Sequence, residues 1–230
     1  PVFSFFSQNS ISDGGFHWNN EWIVNERQFV SFGYQFTENR TGLDINTIER
    51  QDTTENSLNF QNRLHALYSD YSLQLPKVLQ LDIGLRYLYQ EDLRNNYFEP
   101  RIALSTNVTD RLKLKLSTGK HFQFISQLVA FNTNNLGLDN QIWVTANNAD
   151  ENNDVTIPVI ESNQWMGGFI YQKGSWTLDV EGYVKELAGI TTYSSSFVEL
   201  QEKPFSSGNS RIQGIDFLIK KRISEEKHCE

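Results

Sequence analysis

Asp179 and Glu181 stand two positions apart in an alternating polar and apolar run, which would put both carboxylates on one face of a strand. Paired carboxylates can do the acid and base work of glycoside cleavage. The same pair is ordinary on a water-facing strand face, and no nucleophile elbow, phosphate-binding loop or dinucleotide fingerprint accompanies it. No catalytic residue is assigned, and the chain is not expected to be an enzyme. Its four histidines, His17, His65, His121 and His228, are scattered without zinc-site spacing. Asp150, Glu151 and Asp154 are oxygen ligands of the kind Ca²⁺ takes, but the spacing and glycine of a calcium loop are missing. No metal or cofactor is assigned. The chemistry that remains is recognition. Phe122, Gln123, Phe124 and Trp143, beside His121, join flat apolar surface to amides, the mixture that concave ligand sites use for burial and orientation together. They are the candidate ligand-binding residues, although loop packing would use the same side chains.

A second set is charged. Phe98, Pro100, Ile102, Leu104, Thr106 and Val108 alternate with Glu99, Arg101, Ala103, Ser105 and Asn107. After Thr109 and Asp110, Leu112, Leu114, Leu116 and Thr118 alternate with Arg111, Lys113, Lys115, Ser117 and Gly119. Period two means strands with two different faces, and the tight polar turn makes the pair a hairpin. Upstream, Leu79, Leu81, Ile83, Leu85, Tyr87 and Tyr89 oppose Gln80, Asp82, Gly84, Arg86 and Leu88. A soluble sheet would turn the charges to solvent around a core. A membrane barrel would turn the apolar face to lipid and hold Asp82, Arg86, Glu99, Arg101, Lys113 and Lys115 around a polar lumen, where opposite charges on neighbouring strands could pair.

Composition narrows the choice. A chain of 230 residues with mean hydropathy −0.50 and only 38% hydrophobic residues, yet 13% aromatic ones, suits limited core and much interface. No apolar stretch approaches the roughly 18 residues of a transmembrane helix, which excludes a helical membrane protein and leaves a barrel open. A net charge of −8 argues against a nucleic-acid partner. The single cysteine, Cys229, can form no internal disulfide, and neither fact separates cytosol from bacterial envelope.

The period-two test gives about ten strands, near 1–8, 14–24, 28–38, 57–75, 78–90, 97–108, 111–121, 161–172, 175–187 and 209–222, and no amphipathic helix. Most are long enough for the roughly 9–11 residues that a tilted strand needs to cross a bilayer. Short turns at 25–27, 76–77, 109–110 and 172–175 alternate with the mostly longer connections 10–14, 38–56, 91–96, 122–160 and 188–208. That order predicts an antiparallel up-and-down meander with all its short turns at one end, as in outer-membrane barrels. Tyr171 and Trp176 bracket one turn, and Tyr34, Phe36, Tyr87, Tyr89, Tyr97 and Phe98 lie near opposite strand ends, as two interfacial girdles would require. Sheets are rich in Tyr and Phe anyway, so the girdles rest on the loop order.

"YFEPRIALSTNVTDRLKLKLSTGKHFQFISQL" (97–128) resembles the mid-barrel signature of TonB-dependent outer-membrane receptors of the Bacteroidota type. "ALYSDYSLQLPKVLQLDIGLRY" (66–87), "GLDNQIWV" (137–144), "ESNQWMGGFIYQKGSWTLDVEGYVKEL" (161–187) and "SRIQGIDFLIKKR" (210–222) resemble successive segments of the same family. The resemblance implies a barrel of roughly 22 strands set in outer-membrane lipid, filled by a plug domain of the same chain and driven through TonB. It implies active uptake of a scarce small-molecule or oligosaccharide ligand, such as a chelated metal, a vitamin or a glycan. On this expectation residues 1–230 are one partial barrel domain, with the plug absent from this excerpt. A passive porin or adhesin-like barrel is the alternative, and a soluble glycan-binding β-protein a third.

Overall fold

The structure, a computed structural model, describes residues 3–49, 52–75, 79–131, 140–148, 155–194 and 205–222. Eleven strands account for nearly all of them: β1 (Phe3–Asn25), β2 (Gln28–Glu49), β3 (Asp52–Leu75), β4 (Leu79–Gln90), β5 (Asn95–Thr109), β6 (Leu112–Gln123), β7 (Ile125–Phe131), β8 (Asn140–Thr145), β9 (Ile160–Lys173), β10 (Trp176–Ser194) and β11 (Phe205–Lys221). Leaving out β7 and β8, each strand pairs antiparallel with the next, so the chain is a meander. The turns at 26–27, 110–111 and 174–175 lie at one end, with Gly174 taking a φ of 60° that a two-residue hairpin turn favours. At the same end β3 and β4 pair as far as Leu75 and Leu79.

The strands outrun the predicted ones. Residues 10–14 are not a loop but the middle of β1, a strand of 23 residues. Of the expected 38–56 loop, residues 38–49 and 52–56 are the paired continuation of β2 and β3, of 22 and 24 residues. The predicted 188–208 connection likewise shrinks, since β10 runs to Ser194 and β11 starts at Phe205. Alternation fails in these arms for a physical reason. A strand shows apolar and polar faces only where one side meets lipid or an apolar core; residues 10–14 are exposed on both sides, and the covered side of β2 mixes Asn39 and Thr41 with Leu43.

The expected 122–160 loop holds the one element outside the meander, the antiparallel hairpin β7–β8. At one side Ala130 and Phe131 pair with Tyr193 and Ser194 at the end of β10. At the other, β8 lies against the arms of β1 and β2, where the Asn9 side chain imitates a peptide group. Its Oδ1 accepts from Trp143 N–H at 2.7 Å, and its Nδ2 donates to the carbonyls of Gly42 at 2.9 Å and Trp143 at 3.2 Å. β2 and β10 have five strands between them, roughly 29 Å in a flat sheet at ~4.8 Å per strand, so a narrow hairpin reaches both only if the sheet is curled around it.

Two buried clusters fasten the hairpin and its flanking segments to this concave side. Leu43 and Phe60 of the wall meet Leu128, Ile142, Val144 and Ile157. Ala66 and Leu88 meet Phe124, with Leu64, Tyr97, Phe122 and Val159 packed around them. The inner face is therefore polar along most of the sheet and apolar where the hairpin covers it.

Replacing Asn9 by Ala would strip Trp143 of two backbone partners, at about 1–3 kcal/mol for such groups when partly buried. Amide hydrogen exchange over 140–147 should then quicken by roughly 5- to 150-fold, while β4 and β5 keep their protection. Unaltered exchange in the hairpin would show that the apolar contacts alone hold it.

Candidate functional site

Asp82, Arg86, Glu99, Arg101, Lys113 and Lys115 share the concave face, as the β4–β5 and β5–β6 registers require. Arg86 and Glu99 follow the expected neighbour-to-neighbour rule as register partners on β4 and β5, while Arg101 and Lys115 reach over a middle strand. Asp70 of β3, Gly84 of β4 and Arg101 of β5 form one row across three strands. Because Gly84 has no side chain, Arg101 reaches over it. Its Nε donates to Asp70 Oδ1 at 2.9 Å and its Nη2 to Oδ1 and Oδ2, both at 2.6 Å. A Cβ on Gly84 would collide with the carboxylate and the guanidinium alike.

The device recurs. Lys115 of β6, Gly168 of β9 and Glu181 of β10 share a row, and Lys115 Nζ crosses the glycine to Glu181 and to Asp179, 2.7 Å from its Oδ1. Asp179 and Glu181 thus act as counter-ions to one lysine on this face. A third row is neutral: Tyr68 O–H passes over Gly33 to donate to Asn19 Oδ1 at 3.2 Å, and His17 Nε2 lies 2.6 Å from the same hydroxyl. The alternating pattern by itself does not mark these glycines. What it lacked was register, which alone shows a glycine flanked on both sides by long polar side chains.

The other charges are held locally. Arg86 donates to Gln35 Oε1 at 2.9 Å and stands 4.0 Å from Glu99, whose buried carboxylate accepts the Phe122 N–H at 2.6 Å. Asp82 accepts from Ser72 at 2.5 Å and from Gln80 at 3.1 Å. Lys113 has no ion-pair partner among the described residues.

Of the recognition residues, Phe122 and Phe124 come together through Tyr97, with ring centroids 4.8 and 5.1 Å from it. Phe124 is 5% exposed and supports this cluster from beneath. Tyr97 itself, expected in a girdle, is turned inward, because it shares a face with Glu99 and Arg101 and stands opposite Leu88. Gln123 is exposed and donates to the Ile125 carbonyl at 2.7 Å. Trp143 lies on the hairpin, half-exposed, with no ring contact to Phe122 or Phe124. The acidic loop Asp150, Glu151 and Asp154 lies outside the described residues.

The convex face is the reverse. Trp18, Trp22, Phe32, Leu67, Ile83, Leu85, Phe98, Ile102, Leu116, Trp165 and Trp176 are exposed there. On its far side from the short turns, His65 lies among Tyr34, Phe36 and Tyr89, with Nδ1 2.7 Å from the Tyr34 hydroxyl and Nε2 3.0 Å from Glu91. Charges begin immediately beyond: Arg63 holds Glu91 and Asp92 at 2.8 and 2.9 Å, and a hydrogen bond from Arg40 keeps the Glu38 carboxyl below its ordinary range. A polar set directly above an aromatic row is what a membrane interface selects.

The profile of the family described as "TonB dependent receptor-like, beta-barrel" matches residues 3–222. No curated protein sequence matches. Among solved structures, the ferric yersiniabactin uptake receptor of Yersinia pestis aligns with a TM-score of 0.63 at 12% identity, over 96% of this chain and 34% of its own. The ferric enterobactin receptor mutant of Pseudomonas aeruginosa in complex with enterobactin gives 0.62 at 13%, over 91% and 33%. The RagAB peptide transporter gives 0.58 at 10%, over 98% and 29%. These likenesses establish the fold, and the chain spans about a third of the length of each neighbour.

Valine has a higher strand propensity than glycine, so Gly84→Val would stabilise a strand that needed no gap. Here it should cost about 1–3 kcal/mol, the usual range for overpacking, read as a lower denaturant midpoint of the intact protein in detergent. Gly182→Val, on the convex face with nothing nearer than 3.9 Å to a new Cβ, should cost nothing comparable. Equal losses at the two sites would refute a special role for the glycine gap.

Proposed function

The chain belongs to the TonB-dependent receptor-like β-barrel family, and from that premise we propose that it forms part of the wall of an outer-membrane receptor that actively takes up a scarce nutrient. The observation that carries this reading is the division of one curled meander into an exposed apolar convex face and a polar concave face, with the turns at 26–27, 110–111 and 174–175 at one end and the long strand arms at the other. The apolar face meets outer-membrane lipid. Short turns are periplasmic, and the long arms of β1, β2 and β3 with the hairpin β7–β8 stand outside. β1 and β11 are edges of this sheet, which further strands of a larger barrel would cover.

The concave wall lines a lumen holding a plug domain of the same chain, and TonB acts through that plug. Asp82, Arg86, Glu99, Arg101, Lys113 and Lys115 form the wall's charge network. Ion pairs that span glycine gaps keep the charges low against the wall, leaving the lumen for water and plug. At the outer mouth, Trp143 offers ring surface on the hairpin, and separately Gln123 offers an exposed amide next to Phe122, with Phe124 as support. This surface suits a small organic ligand such as a chelated metal, a vitamin or an oligosaccharide. Two of the structural neighbours are named for ferric siderophores and one for peptides, and the aromatic mouth is compatible with a ferric chelate. The segment 97–128 supports a receptor of the Bacteroidota type.

Single cysteines at Asn148 and Asp110 in the intact protein, with Cys229 changed to serine, test the orientation. An impermeant thiol reagent on whole cells should label position 148 and spare 110; the opposite pattern would reverse the topology and defeat the reading. In a folded Trp143→Ala protein the affinity for the transported nutrient should fall by roughly 5- to 150-fold, about 1–3 kcal/mol for loss of an aromatic anchor. Unchanged binding would assign Trp143 to packing alone.

A further inference from the structure

We propose that the convex face carries a specific site for one phosphate-bearing membrane lipid, with an acyl chain in a glycine-based groove over β9 and β10 and the phosphate on Arg211. The proposal rests on the membrane reading above. Gly167 of β9 and Gly182 of β10 are register partners, and Gly182 also faces Ile215 of β11. On a face otherwise built of large side chains, two adjacent glycines leave a recess two strands wide. Ile102, Leu104 and Leu116 wall it on one side, Val184 and Ile215 on the other, and Trp165 closes its upper end. Its volume is ≈ 930 Å³. This recess is separate from the inner wall and from the mouth residues.

Its height fits an acyl chain. Gly167 is seven residues from Gly174, roughly 16 Å from the periplasmic turn at ~2.3 Å per residue for a strand tilted ~45°. That lies within an apolar band ~25 Å tall, with Trp165 toward its outer boundary. Directly above Trp165, on the same three strands, a polar groove of ≈ 430 Å³ is lined by Asn163, Glu186, Ala188, Asn209 and Arg211. Apolar and polar grooves stacked in this order match a lipid's own order of chain and headgroup.

Hydrophobicity alone gives no preference here, because surrounding tails are as apolar as the groove. Preference has to come from shape and from the headgroup. Shape is supplied by the recess, which one chain can fill and the flat wall of a second barrel would bridge. Charge is supplied by Arg211. Its only ion-pair contact among the described residues is to Glu186 at a long 3.9 Å, with both side chains at least half exposed, so the guanidinium can turn to a phosphate. Lys120, the neighbouring cation, is already engaged by Glu161 at 2.8 Å.

Native mass spectrometry of the intact protein tests this in maltoside micelles containing equal dioleoyl-phosphatidylglycerol and dioleoylglycerol, which lacks the phosphate, with the gel shift on boiling as the control for a folded barrel. The wild type should retain one lipid and prefer phosphatidylglycerol about fivefold, the effect of one cation near a surface. Gly182→Leu fills the recess, where a new Cβ meets nothing closer than 3.9 Å, and should lower retention of both lipids by about tenfold. Arg211→Gln should abolish the preference and leave retention of the uncharged-headgroup lipid intact. Retention by folded Gly182→Leu equal to that of the wild type would overturn the site, as would a dimer that this substitution disperses. A preference surviving Arg211→Gln would overturn the role of Arg211. A wild type without a boiling shift would defeat the membrane reading itself, and the site with it.

Discussion

A peptide group left unpaired in hydrocarbon costs several kcal/mol, so a wall that faces lipid must continue its hydrogen-bond ladder from strand to strand. The long antiparallel meander follows from that constraint. So does the need for tight turns at one end, where the chain must reverse without leaving peptide groups bare. Once the ladder is fixed, side chains alternate by geometry alone, and every residue is committed to the convex or the concave face.

The concave face then has its own problem. Charged side chains in a confined lumen need partners, and neighbouring strands crowd them. The wall answers by placing glycine in the middle strand of a row, so that Arg101 and Asp70 meet over Gly84, and Lys115 meets Glu181 over Gly168. The arrangement couples three strands through one interaction. On the convex face the same residue type has the opposite consequence, since the partnered Gly167 and Gly182 open a recess toward lipid. Above the membrane level the concave face turns apolar at Leu43 and Phe60, because there it supports a protein hairpin.

Much of this was legible in the sequence. Wherever one face meets lipid, as along Leu79–Gln90, alternation alone marked the strand, its faces and its turn ends. It was silent in the arms, where Ser10 to Gly14 are exposed on both sides and therefore looked like a loop, and where the covered side of β2 mixes Asn39 and Thr41 with Leu43. Tyr97 lies near a strand end as a girdle residue would, but the two-residue period puts it on the face of Glu99 and not on that of Phe98. Phe122 and Phe124 were recognisable as an aromatic pair, yet only the third ring of Tyr97 joins them. Asn9 gave no signal at all, since its partner Trp143 is 134 positions away. The Asp70–Arg101 and Lys115–Glu181 pairs were hidden for the same reason, as they depend on register across strands that are not sequence neighbours.

The central claim is that alternate residues of one strand face lipid and lumen water. It is tested most directly by nitroxide labels placed singly along β4 of the intact protein in lipid bilayers. Collision with dissolved oxygen should peak at 79, 81, 83 and 85, and collision with a water-soluble nickel chelate at 80, 82 and 86, in a period of two, with 84 left as glycine because a label there would fill the gap that Arg101 crosses. Oxygen excluded from the odd positions, with the nickel chelate reaching neither set, would mean a buried soluble core and would contradict the account.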